Sequence, residues 1–182
     1  MESADLAARA RRAYEAGRLR WALQIGWMVI VLVGLSSVAA SPSRVTILLG
    51  VALLATVTAL RWRGQTFSLA ARVGLLAGLI PFTLLLGMKC GSSMCCALGN
   101  CMAHCTLFCG LGGLAAGVLL ASRARRLEAA GLPFLVAGSL VAALTGLLGC
   151  FVGGLTGAVW MLAGELAATL PAYASELKRI SR

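Results

Sequence analysis

Six of the seven cysteines lie between Cys90 and Cys109, in the run CGSSMCCALGNCMAHCTLFC, and the seventh is Cys150. Cys90, Cys95 and Cys96 fall in a linker between two apolar segments, while Cys101, Cys105 and Cys109 open the second of them. A spacing of four residues places these last three on one slowly drifting stripe of a helix, and His104 lies about 60° from Cys101 on the same side. Met88, Met94 and Met102 add thioethers nearby. Thiols in this density point to three chemistries. They can pair as disulfides in an oxidising compartment, although spacing does not reveal the connectivity and the adjacent Cys95 and Cys96 are poor partners for each other. They can ligate zinc or copper together with His104. They can also change state reversibly and report that change through the helices that carry them. The pattern is neither a CxxC…CxxC zinc arrangement nor the CxxCH of haem attachment. Burial as a small hydrophobe accounts for Cys109 taken alone, but not for six cysteines in one short run. His104, the single histidine, stands between a ligand role and that of a hydrogen-bonded helix residue.

The elements that must position these groups follow from composition. The chain of 182 residues is 60% hydrophobic and 12% charged, with a mean hydropathy of +0.92. Soluble domains are about 25% charged. The apolar residues form long runs without strand-like alternation, and in lipid such runs are helices because each backbone group must be satisfied within its own segment. Helices are expected at 21–40, 45–60, 69–88, 101–122, 132–149 and 151–170, the second being short for a crossing. The stretch from Leu132 to Leu170 is nearly twice too long for one passage, so it must fold back at the glycines around Cys150. The expected fold is all-α: a polytopic membrane bundle of six transmembrane helices.

Charge orients it. Of the 16 Lys and Arg, only Arg44 and Lys89 lie at one membrane face; the other fourteen lie at the opposite one. Short loops rich in Lys and Arg stay inside, which puts both termini in the cytoplasm and the cysteine-rich loop 89–101 outside. The net charge of +10 is thereby explained without a nucleic-acid partner. Residues 1–20 form a basic cytoplasmic tail, 21–170 the membrane domain and 171–182 a second tail. The first helix reads as an uncleaved anchor. An Ala- and Arg-rich composition suggests the inner membrane of a high-GC bacterium.

Cys109-Gly-Leu-Gly-Gly-Leu and Cys150-Phe-Val-Gly-Gly-Leu share a CxxGGLxxxV pattern 41 residues apart, which suggests two related hairpins, each opening a returning helix. The glycines otherwise read as close helix packing. Glu165 is the sole carboxylate inside an expected crossing; near the end of a helix finishing at residue 170, it is expected to reach water or an arginine. Pro81 is expected to kink the third helix. No carboxylate pair, Ser/His/Asp set or phosphate-binding glycine loop is present, and a His104–cysteine dyad lacks an orienting acid, so the chain does not read as an enzyme.

The six crossings, the cysteine where helix four begins, the basic RARRL turn, Pro133, Cys150 and Val159-Trp160 resemble the six-helix membrane anti-sigma factors of proteobacteria and myxobacteria. The resemblance spans the topology and roughly the last eighty residues. It implies a cytoplasmic tail that holds an extracytoplasmic-function sigma factor at the membrane, and outward cysteines that sense metal or oxidative stress. Leu6, Ala10, Ala13 and Tyr14 line one face of the tail and are the partner-binding candidates. The tail is short for a sigma-binding domain, and the third loop carries extra cysteines. The leading expectation is therefore a regulatory membrane protein whose site is Cys90, Cys95, Cys96, Cys101, His104, Cys105, Cys109 and Cys150. The alternatives are a copper-, mercury- or zinc-handling membrane protein, or a structural subunit with disulfide-stapled loops. The lipid bilayer and a second copy of the chain complete the expected partners.

Overall fold

The computed structural model describes residues 2–39, 44–90, 101–127, 131–150 and 154–180, and these form six helices and no strand. They are α1 (Glu2–Ala39), α2 (Arg44–Arg63), α3 (Gln65–Cys90), α4 (Cys101–Ala124), α5 (Gly131–Cys150) and α6 (Leu155–Ile180). Five, α2 to α6, are long and apolar enough to cross a membrane; α1 contributes a shorter apolar stretch, Gly26–Ser37, within the residues described. Large apolar side chains face outward on the helices, among them Trp27, Leu48, Leu76, Leu107, Leu140 and Leu166. Spread over a bundle whose interior is already filled, such a surface suits lipid rather than water. The chain is a helical membrane protein.

Three helices depart from the expected bounds. The second, expected at 45–60, is a full 20-residue helix, so no thinning of the bilayer is needed to accommodate it. The last continues ten residues beyond 170, because Ala172-Tyr173-Ala174-Ser175-Glu176-Leu177 sustains helix after Pro171. The first begins at Glu2, so the expected tail and the apolar stretch Gly26–Ser37 lie on one continuous helix. At ~1.5 Å per residue its 38 residues cover about 57 Å, close to twice the hydrocarbon thickness. Arg11 and Glu15 form an i,i+4 ion pair on its exposed surface, with Nε donating to Oε1 at 3.3 Å.

The core is built by α3 to α6, with α1 and α2 against its side. α3 packs most extensively on α5, and α4 on α6. Both pairs run parallel, because contacts advance together along each: Gly74 meets Gly138 and Gly78 meets Ala142, while Gly113 meets Met161 and Gly117 meets Glu165. The glycines set the spacing. A Cβ at Gly74 would lie 2.6 Å from the Gly138 carbonyl oxygen, and one at Gly117 2.7 Å from that of Glu165. In lipid, where burial between helices brings no hydrophobic gain, such backbone approach is the main source of packing energy. α5 touches all five other helices and has twelve buried residues of 20, among them Phe134, Val141 and Leu148. It carries no charge at all.

The CxxGGLxxxV segments do not occupy equivalent places. Cys109 stands more than two turns inside α4, whereas Cys150 is the last residue of α5. The shared letters therefore do not both open a helix, and the two-hairpin symmetry read from them does not hold at these positions. Gly154, at φ +96°, adopts the left-handed conformation that ends the connection before α6.

Candidate functional site

The cysteine that closes α5 meets the cysteine stripe of α4. Cys109 and Cys150 are each wholly buried and pack in one cluster. Ala158 and Met161 of α6, with Leu147 of α5, close around them. Gly157 lies against the pair: a Cβ there would come within 3.2 Å of the Cys109 sulfur and 3.5 Å of the Cys150 carbonyl oxygen. Cys105 lies one turn before Cys109 and is half-buried. The site is thus a dithiol joining α4 to α5, capped by α6.

Of the remaining expected site residues, Cys90 ends α3, and Cys101 and His104 lie in the first turn of α4, at positions whose side chains are not described. Cys95 and Cys96 lie outside the described residues. Leu6, Ala10, Ala13 and Tyr14 all belong to α1, where Ala13 and Tyr14 are exposed. Among the described residues, no three Cys, His, Asp or Glu side chains converge as a metal site. Cys109 and Cys150 by themselves offer two soft donors, a number that suits copper(I) better than tetrahedral zinc.

Glu165 corrects the sequence reading. Because α6 runs on to Ile180, this residue lies in mid-helix, 3% exposed, and neither carboxylate oxygen has a hydrogen-bond partner among the described residues. Buried as it is, it does not reach the surface, and among the described residues no arginine pairs with it. Its backbone abuts Gly117 of α4, and its carbonyl accepts a bond from the Thr169 hydroxyl at 2.9 Å. Met161, Glu165, Thr169, Ala172 and Glu176 form one buried stripe down α6, starting at the thiols. Glu176, which the sequence reading passed over, sits at the N-terminus of α5, where a Cβ on Gly131 would lie 2.8 Å from Oε1. A carboxylate is favourable there because it faces the positive end of the helix dipole. No sequence signal marked this stripe, because two of its members, Glu165 and Glu176, are residue types that are seldom buried.

Comparison with known proteins brings no relative to this arrangement: no family model matches the chain, and neither a curated protein nor a solved structure matches it. The class that the fold and site define is a helical membrane protein with a buried interhelical dithiol.

Proposed function

We propose that this chain is a multi-pass bacterial inner-membrane regulator, with six crossings and both termini in the cytoplasm, that senses metal or redox change through its extracytoplasmic thiols. The observation that carries this reading is the contact of Cys109 with Cys150, one thiol from each of two helices at a single depth. A disulfide-bearing oxidant would convert the pair by exchange. One S–S bond of the oxidant breaks, one S–S bond forms between Cys109 and Cys150, and the two protons leave on the oxidant's sulfurs. A soft cation would instead bind both sulfurs as thiolates and displace the same two protons. Either event ties α4 to α5 covalently or through the metal. Because α4 is seated on the backbone of α6 through glycines, the tie acts on the packing of the whole core rather than on one side chain.

The output is the α1 tail, which would hold a cytoplasmic partner at the membrane in the manner of an anti-sigma factor. Deleting residues 2–16 should switch on the partner's target genes constitutively, while Cys109→Ser with Cys150→Ser should change induction without preventing membrane insertion. A deletion with no transcriptional effect, in cells that become sensitive to copper or mercury, would sink the regulatory reading. It would favour the second one, a soft-metal-handling protein. Glu165 is the observation on that side, since a buried carboxylate in a crossing marks ion and proton pathways.

A further inference from the structure

At the arginine-rich end, opposite the thiols, the structure has a pocket of about 700 Å³ between α1 and the junction of α2 with α3. Ala13, Tyr14 and Gly17 form the α1 wall; Arg61, Trp62 and Arg63 come from the last turn of α2; Gln65 and Ser68 come from the first turn of α3. Gly64 alone connects the two helices, and its φ of +142° permits so tight a reversal. The reversal brings two guanidinium groups beside the N-terminus of α3, where backbone N–H groups and the helix dipole favour an anion. Arg61 and Arg63 thus line one corner, and among the described residues no carboxylate lines the pocket. Glu15, the acid nearest in sequence on α1, is already engaged with Arg11.

We infer that this pocket binds the phosphate of an anionic phospholipid headgroup. Charge alone would suit any phosphate, because arginine matches phosphate oxygens bidentately. The rest of the lining favours a lipid. Tyr14 and Trp62 are 66% and 69% exposed beside the arginines, the amphipathic rings expected at headgroup depth. Below them the lipid-facing side of α2, with Leu54 and Val51 exposed, offers a path for acyl chains. Bound there, a lipid would bridge the tail helix to the α2–α3 turn and set the angle at which Ala13 and Tyr14 meet the cytoplasm. This holds whether or not the thiols are sensors.

The full chain is purified from mixed phosphatidylglycerol and phosphatidylcholine nanodiscs, and the lipids retained after mild detergent exchange are counted by native mass spectrometry. Wild-type protein should retain phosphatidylglycerol preferentially, and the preference should fall about fivefold for each arginine removed in Arg61→Gln and Arg63→Gln. The control pair Arg125→Gln with Arg126→Gln makes the same charge change on the α4–α5 turn and should keep the preference. Arg63→Gln alone, at an exposed position, gives a variant that tests the site without disturbing packing. Inorganic phosphate is added in parallel to lipid-free micelles. Stabilisation by phosphate without any preference for phosphatidylglycerol overturns the lipid as the source and assigns the pocket to a soluble phosphate compound. No preference in the wild type together with no effect of phosphate, or equal loss in the Arg125/Arg126 pair, overturns the site.

Discussion

Cys109, in the third turn of α4, packs with Cys150, the last residue of α5, in one buried cluster, and both are sealed from solvent. Two cysteines separated by 41 positions in the chain are thereby brought together in one buried cluster. Cys105, half-buried, lies one turn before Cys109.

Mild oxidation of the reduced protein by a small-molecule disulfide should produce a Cys109–Cys150 crosslink, detected by non-reducing peptide mapping. Closing a loop of this length stabilises by at most about 4 kcal/mol, so the oxidised form should resist denaturation in mixed micelles more than the reduced form does. Recovery of Cys150 as a free thiol under conditions that oxidise Cys105 would remove it from the site.

Gly113 and Gly34 make opposite predictions. A Cβ at Gly113 would run into the Met161 carbonyl of α6, whereas nothing lies within 4 Å of one at Gly34. Gly113→Ala should destabilise by about 1–3 kcal/mol, the usual cost of overpacking. Gly34→Ala should be neutral or stabilising by up to about 1 kcal/mol, because alanine is the better helix former. Unfolding in sodium dodecyl sulfate reads both; equal effects would contradict the seating of α4 on α6.

Glu165 is buried with no hydrogen-bond partner for its carboxylate among the described residues. Replacing an unpartnered buried carboxylate by an apolar side chain of similar length, Glu165→Met, should stabilise the bundle by about 1–3 kcal/mol. The same variant should lose response to the inducing signal, or lose metal tolerance if the second reading holds. A variant that is more stable and functionally unchanged shows that the carboxylate has no role.

Orientation is tested at the thiol end. Membrane-impermeant maleimide added to intact, reduced spheroplasts should label Cys90, Cys95 or Cys96. Labelling only after permeabilisation of the inner membrane would invert the orientation and remove the oxidising compartment from the argument.

The helices and their membrane character were legible in the chain because they depend on local properties. Long apolar runs have one solution in lipid, and clustered arginines mark the helix ends at Arg63 and Arg123. The turn near Cys150 was legible for the same reason, since no crossing can be 39 residues long. Helix ends were less so: continuation of α6 past Pro171 depends on a stretch too polar to read as membrane, yet made of good helix formers.

What no local property determines is which faces meet. The sequence alone assigned Cys101, Cys105 and Cys109 to one stripe, but their drift around the helix left open which of them faces a neighbour. The parallel seating of α4 on α6 turns Cys109 inward to Cys150 and leaves Cys105 half-buried. The same seating encloses Glu165, whose burial follows from Gly117 lying against its backbone and not from anything within α6. Burial is a property of two surfaces together, and in a bundle whose helices are apolar all round, glycines in register across the interface decide which surfaces those are.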